Sequence, residues 1–355
     1  MTTALEVKNR IGDLFERSSV YSFRLIRIAE TLHHHRTGGD FDLSKRDDFE
    51  SESKEWSDEI SRKFFGYFPT DKQINTRHLF EANAMPPELL AKLGEINKKS
   101  KGVVEAYIYK ALEARLSSVR EVEDYIRKST PDTFDLKKLV AIFQTTPGLR
   151  RSVDKMYEIL VYALFTTIVR ALKAQVTLEI GNKDKEILKD FERFIKMVLG
   201  IDAKQTRLVS PAALYRVGVT NASDRGLDIW ANFGPAIQVK HLTLTPELME
   251  DIADDITSDR IVIVCIDTER ETIEALLKQV GWSERIQGVI TVNDLDDWYK
   301  LCLSKKYRAN LGAKLLQDVG REFAAEFPSS KEIAPFMAKR EYDKIVMPSD
   351  WQIQI

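Results

Sequence analysis

The chain is poor in the features that announce chemistry most directly. Only Cys265 and Cys302 among its 355 residues are cysteine, with no Cys-x-x-Cys and no Cys/His ligand spacing. That excludes a disulfide framework and argues against structural zinc; Cys265, inside an apolar stretch, behaves as a small hydrophobe. Gly38-Gly39 lacks the spacing of a phosphate-cradling loop, and no dinucleotide fingerprint occurs, so ATP-driven chemistry is not indicated. Charge of one sign is not in excess: 53 basic side chains face 55 acidic ones, for a net charge of −2. Binding to a polyanion would have to come from local clustering into a basic cleft. The most apolar run, Met156 to Leu172, is interrupted by Glu158, Thr166, Thr167 and Arg170 and falls short of the ~20 residues of a membrane span. The amino terminus, MTTALEVKNRIGDLFERS, carries charges throughout and no apolar signal core, so a cytoplasmic location is expected. With 43% hydrophobic and 30% charged residues, the composition is that of an ordinary globular chain, long enough for two domains with proper cores.

What is present centres on one stretch, Ser223-Asp-Arg-Gly-Leu-Asp228-Ile-Trp-Ala-Asn232-Phe-Gly234-Pro235-Ala-Ile-Gln238-Val-Lys240-His241. Leu227 to Ala231 and Ala236 to Leu242 read as strands, with Asn-Phe-Gly-Pro as turn chemistry between them. A hairpin brings Asp228 within side-chain reach of Gln238-Val239-Lys240. Because side chains alternate across a sheet, the register decides whether Asp228 shares a face with Gln238 and Lys240. An odd-numbered connection puts them together and a two-residue turn does not; the odd connection is expected.

Phosphodiester hydrolysis explains why these residue types belong together. Charge building on phosphoryl oxygens must be neutralised and a water made more nucleophilic, and a hard cation such as Mg2+ serves both needs. Such ions take carboxylate, carbonyl and water oxygens. Asp228 supplies a carboxylate, the Val239 main-chain carbonyl a second ligand and the Gln238 amide a neutral one, while Lys240 is suited to hold the attacking water beside the phosphate. Glutamine brings no charge, so the site calls for another acid. Glu158 is the candidate. It opens the run MYEILVYALFTTIVRAL, which reads as a helix buried around most of its circumference. A buried carboxylate there needs a cation or a hydrogen-bond partner. Either Glu158 faces the Asp228 cluster across the sheet, or it makes an ordinary ion pair with an arginine such as Arg150 or Arg151.

Further elements follow from spacing and caps. Leu214 to Val219 reads as a strand; Thr245-Pro246-Glu247 starts a helix; Ile261 to Ile266 is a strand covered on both faces; Glu269 to Val280 is a helix. Upstream, Ser19 to Leu32, Trp56 to Phe65, Pro87 to Ile96 and Val103 to Leu116 show helical spacing, and Asp40 to Glu59 reads as a surface loop followed by a helix. Thr145-Thr146-Pro147-Gly148 breaks the pattern and marks a boundary. His33-His34-His35 tempts as a metal cluster, but neighbouring residues on a helix point apart, and a solvated helix end leading into Arg36-Thr-Gly-Gly39 is the expectation. Trp298 to Phe323 reads as one or two helices, and the tail from Pro328 as irregular.

These residues resemble the PD-(D/E)xK nucleases in the variant whose second acid is glutamine, D-x9-QxK. The segments VDKMYEILVYALF, YRVGVTNASDRGLDIWANFGPAIQVKHLTL, DLDDWYKLCLSKKYRANLGAKLL and SSVYSFRLIRIAETLHHHR together resemble the HaeII-type type II restriction endonucleases over most of the chain. The resemblance implies an α/β fold with a core of helix, three-strand meander, helix and strand. Residues 1–148 read as a mainly helical region for DNA recognition or dimerisation, 149–305 as a PD-(D/E)xK-like catalytic core and 306–355 as a helical tail. The resemblance further implies a Mg2+-dependent enzyme cutting both strands of a GC-rich palindrome such as RGCGCY, with Asp228, Gln238, Lys240 and Glu158 catalytic and Asp228, Val239 and Glu158 as metal ligands. Arg225, Asn221 and His241, next to the hairpin, are the candidate DNA contacts. Double-stranded DNA, a second copy of the chain and a cognate DNA methyltransferase are the partners it implies. Gln238, where an acid is usual, leaves the number of metal ions open. Two alternatives stand beside this reading: a nuclease of the same fold acting on branched DNA or RNA, and a decayed DNA-binding protein.

Overall fold

In a computed structural model of the chain, residues 4–17, 23–66, 79–146, 149–201, 205–217, 227–240, 260–265, 286–327 and 330–351 are described. They form a helix-rich α/β protein with a mixed sheet. Helices α1 (Ala4–Arg17), α2 (Phe23–Thr37), α3 (Glu50–Phe65), α4 (Pro87–Lys99), α5 (Val103–Lys128) and α6 (Leu136–Thr145) come first. Local chemistry sets several of their ends. The helix α3 stops at Gly66, whose φ of 79° lets its N–H return to the Arg62 carbonyl. The next helix, α4, begins with proline at its first position. Asp135 caps α6 by accepting from Lys138 N at 2.9 Å. In α5 the buried residues Leu112, Leu116, Val119, Val122 and Ile126 recur every three or four positions, so one stripe of a long helix is committed to the core.

Next comes α7 (Val153–Leu172), buried on most sides as its sequence requires, then the ribbon strand β1 (Gln175–Glu179). The short helices α8 (Lys185–Asp190) and α9 (Glu192–Phe194) run into a π turn at Ile195–Leu199 before β2 (Arg207–Pro211) closes the ribbon. Strands β3 (Leu214–Arg216), β4 (Ile229–Ala231), β5 (Ala236–Lys240), β6 (Ile261–Cys265) and β7 (Ile286–Thr291) form the main sheet in that order. The first three make an antiparallel meander, and β5, β6 and β7 run parallel. Helices α10 (Val292–Leu303), α11 (Ala313–Glu326) and α12 (Ile333–Lys339) complete the chain, α10 being opened by a reciprocal Thr291/Asp294 capping box. Among the described residues no helix is long and apolar enough to cross a membrane. The helices expected from Thr245 and over Glu269 to Val280 lie outside the described residues, as do Pro147-Gly148 and Ile266.

Parity divides the sheet. Ile229, Ile237, Val239 and Val264 share one hydrophobic cluster with α7. The same cluster runs from Ile11 to Trp351, so the amino-terminal helices and the carboxy-terminal segment pack into a common interior.

Two expectations are corrected here. The segment after Pro328 is not irregular: α12 buries Ile333, Phe336 and Met337, an i, i+3, i+4 stripe. Two buried carboxylates on the amino-terminal helices hold it down. Glu30 accepts from Tyr109 and from Arg340, at 2.6 and 2.8 Å. Glu105 accepts from Arg36 at 2.7 and 2.9 Å, from Asn97 at 2.5 Å and from Tyr342 at 2.5 Å. Nor is the triple histidine a solvated helix end. His33 Nδ1 lies 3.0 Å from Glu105 Oε2, and His34 stacks on Trp56 with ring centroids 3.9 Å apart. The His33 and His34 rings meet edge to face with centroids 5.7 Å apart, and among the described residues no group of three His, Cys, Asp or Glu side chains is placed to hold a metal ion.

Burial alone would push the Glu105 carboxyl up, but hydrogen bonds from Arg36, His33, Tyr342 and Asn97 outweigh it and bring it down to about 2. A depressed carboxyl stabilises the folded state fully above its ordinary value of 4.5 and loses that contribution as pH falls towards about 2. Glu105→Gln leaves Arg36 buried beside a neutral group and is expected to cost about 3 kcal/mol at neutral pH. Urea denaturation from neutral pH down to about pH 3 should show wild-type stability falling more steeply than that of the variant.

Candidate functional site

The site is built on the β4–β5 connection. Ile229 pairs with Ile237 and Trp230 with Ala236. Ala231 N donates to Pro235 O at 3.0 Å, leaving Asn232, Phe233 and Gly234 as a three-residue connection. Gly234 holds a φ of 120°, a left-handed conformation that β-carbon-bearing residues avoid. Asn232 fastens the turn to the β2–β3 junction: its Oδ1 accepts from Ala213 N at 2.9 Å and its Nδ2 donates to Pro211 O at 3.0 Å. The odd connection anticipated from the sequence is what forms. One step beyond the Ile229–Ile237 pair, Asp228 therefore stands opposite Gln238, and Lys240 occupies the next β5 position of the same parity.

Asp228 Oδ2 accepts from Val239 N at 2.7 Å, which fixes the carboxylate against the strand that carries Gln238 and Lys240. Gln238 is 1% exposed, and its Oε1 is a buried acceptor without a hydrogen-bond partner. Such an oxygen is costly to leave unsatisfied and marks a place where a donor or cation would be favoured. Asn221, Arg225 and His241 lie outside the described residues.

Glu158 reaches this cluster indirectly. It sits on α7, which packs on the other face of the hairpin, and it is 4% exposed. The partner described for it is Lys155, not Arg150; the Arg151 side chain lies outside the described residues. Lys155, one helical turn earlier, donates to both carboxylate oxygens at 2.7 and 2.8 Å, while Arg150 Nε donates to the Gln144 carbonyl instead. The i, i+3 spacing puts lysine and glutamate on one helix face, so the nearest cation is local in sequence. Burial would lower the Lys155 pKa, yet the carboxylates of Glu158, Glu326 and Asp228 raise it overall. Lys155 is thus the link that places Glu158 and Asp228 in one electrostatic environment.

Sequence reasoning passed over three members of this environment. Lys155 carried a signal, its spacing from Glu158. Arg216, on β3 opposite Ile229, has a side chain only 8% exposed and lies 3.0 Å from Glu326 and 3.9 Å from Glu322. Glu326, near the end of α11, is far along the chain, and no local pattern could have placed it here. Burial pushes its carboxyl up, and the nearby Glu158 charge adds to that, against the opposing pull of Arg216 and Lys155. The carboxylates of Glu158 on α7, Glu326 on α11 and Asp228 just before β4 therefore all act on Lys155, and Arg216 on β3 pairs with Glu326.

Comparison with known proteins gives this geometry its context. The family model of the HaeII restriction endonuclease matches residues 7–342. The chain is 41% identical over 339 residues to the type II restriction enzyme HaeII of Haemophilus aegyptius, covering 95% of this chain and 96% of that one. It is 40% identical over 341 residues to the type II restriction enzyme NgoBI of Neisseria gonorrhoeae, covering 95% and 97% respectively. No solved structure matches it. Similarity at this level, end to end and through the hairpin and α7 alike, shows that the chain belongs to the HaeII restriction endonuclease family.

Proposed function

We propose that this protein is a site-specific double-stranded DNA endonuclease of a restriction–modification system, hydrolysing phosphodiesters with Mg2+ to leave 5′-phosphate and 3′-hydroxyl ends. The observation that carries the reading is the hairpin register, with Asp228 opposite Gln238 and its carboxylate on the Val239 amide. The order α7, antiparallel meander β3–β5, parallel strand β6 supports a PD-(D/E)xK core. The relatives named as type II restriction enzymes support the reaction class.

The donor set suits a hard divalent cation. Asp228, Glu158, the Val239 carbonyl and the unsatisfied Gln238 Oε1 are all oxygen ligands, and the Lys155 ammonium already marks the place as one where positive charge is favourable. Magnesium bound there would offset charge on the phosphate and make a coordinated water more acidic. Asp228 and Glu158 would hold it, with Val239 and Gln238 as neutral ligands. Lys240 holds the attacking water against the phosphate. Lys155 orients the Glu158 carboxylate by donating to both of its oxygens, acting as a positioning residue. Asn221, Arg225 and His241 adjoin the hairpin in sequence and are proposed as DNA contacts. A palindrome such as RGCGCY read by one kind of chain calls for a two-fold dimer, with protein symmetry matching site symmetry. A cognate methyltransferase would protect the host's own copies of the site.

Digestion of sequenced plasmid DNA with Mg2+ tests the reading: discrete fragments ending at one short sequence are expected, and a chelator should stop the reaction. Uniform degradation, or cutting only of branched DNA or RNA, would sink it. Asp228→Ala and Lys240→Ala each remove several kcal/mol of transition-state stabilisation, on the order of a thousandfold in cleavage rate. Gel shifts should find duplex binding by both variants within about tenfold of wild type, since phosphate and base contacts elsewhere carry affinity. For Lys155→Met a drop of tenfold or more in kcat is expected at little-changed KM, roughly the effect of misplacing one ligand. Lys155→Arg should recover most of it; failure of that rescue, or a loss confined to KM, would remove the positioning role.

A further inference from the structure

Between α7 and β3 the chain leaves the main core. The β1–β2 ribbon, helices α8 and α9 and the π turn form an arm over residues 175–201 and 205–211, and its buried apolar side chains among the described residues, Ile195 and Ile201, do not belong to the main hydrophobic cluster. A two-stranded ribbon with so small a core is marginal in water unless something covers it.

The helical part of the arm carries two apolar stripes. Leu188, Ile195 and Leu199 recur at i, i+7 and i+11 and are at least partly buried. Ile187, Phe191, Phe194 and Val198 recur at i, i+4, i+7 and i+11, and all four are exposed, Phe191 at 58% and Val198 at 63%. Met197 beside them is 72% exposed, and the cross-strand pair Leu178 and Leu208 adds two further exposed side chains on one face of the ribbon. So many uncovered apolar side chains on consecutive short helical segments are more than a free monomer surface ordinarily carries.

We infer that this arm is the dimerisation surface, and that its occupant is the same arm of a second copy of the chain. Three observations select that occupant. The first is area: at ~180 Å² per large side chain, the uncovered groups amount to roughly 650 Å² per chain, so a self-complementary contact would bury about 1,300 Å², within the range of specific dimers and above the usual patch on a monomer. The second is charge: from Asp184 to Leu199 four basic side chains are matched by four acidic ones. A face for DNA or an anionic membrane needs a basic excess, whereas a balanced face meets its own copy without net repulsion. The third is symmetry: a two-fold contact brings the same patch to both sides, so an apolar stripe flanked by both signs of charge satisfies itself. The arm leaves the main core after Leu172, at the end of the helix whose first turns carry Lys155 and Glu158, and returns just before the strand carrying Arg216. Pairing of two arms would therefore set two sites at a fixed spacing across one axis.

This inference rests on the two-fold dimer proposed above, and its test separates the two. Sedimentation velocity of the full chain at micromolar concentration should give a dimer for wild type. The double variant Phe191→Glu, Met197→Glu should sediment as a monomer with unchanged far-ultraviolet circular dichroism, its dissociation constant raised on the order of a hundredfold or more. A wild-type dimer whose double variant also stays dimeric would overturn the arm as the interface while leaving the dimer intact. A wild type that is monomeric both alone and on cognate duplex would overturn the dimer reading itself. A second variant covers the case in which the double variant does not fold. Cys265 and Cys302 are 1% and 3% exposed, so Met197→Cys introduces an accessible thiol against a quiet background. A short bis-maleimide should join Met197→Cys chains into a covalent dimer and leave Val346→Cys chains, whose label position is also exposed, unjoined. Equal cross-linking of the two, or none of Met197→Cys in a dimeric protein, would also overturn the assignment.

Discussion

The three-residue connection Asn232-Phe233-Gly234 is the constraint on which the site depends. A strand pair alternates its side chains, so one residue more or fewer would move Asp228 to the face opposite Gln238 and Lys240. The connection is held at both ends: Gly234 takes a backbone angle that side chains disfavour, and the Asn232 amide bonds across to the β2–β3 junction. With the register fixed, Asp228 can reach the Val239 amide, and the apolar alternates Ile229, Ile237 and Val239 are left to seat the sheet on α7. One local decision thus sets both the packing face and the chemical face of the hairpin.

Buried charge then organises what surrounds it. Glu158 is almost fully covered, which is tolerable because Lys155 binds it bidentately and senses the other carboxylates of the cluster. Arg216 performs the same service for Glu326 from β3. The contact between the first and last helices uses the same device for a different purpose. Glu30 and Glu105 are fully enclosed by Arg340, Tyr109, Arg36, Asn97 and Tyr342, joining the first helices to the last ones. That network is saturated with hydrogen bonds, whereas the hairpin leaves the Gln238 oxygen unsatisfied. A satisfied network stabilises, whereas a buried acceptor without a partner costs free energy.

The sequence made the local elements legible because their causes are local. Helical spacing marked α2 to α5, the buried run Met156 to Leu172 marked α7, and turn chemistry marked the hairpin, while the odd length of its connection was an expectation that the structure meets. The ribbon and helices of the arm went unread, since its short strands are mostly exposed and show no buried alternation. The helix α12 was missed for the opposite reason: seven residues containing Pro335 read as irregular until docking on the amino-terminal helices supplies the stability their length denies them.

What the sequence by itself determined is a local pattern, an acid, a turn and a glutamine–lysine strand, because alternation and turn preference act over a few bonds. The tertiary structure alone decided which charges meet. Nothing near Glu326 in the chain points to Glu158 or Asp228, and nothing near Arg340 or Tyr342 points to Glu30 or Glu105. Those encounters follow from how α7, α11 and the sheet pack, and the strength of an ion pair depends on the burial that packing creates.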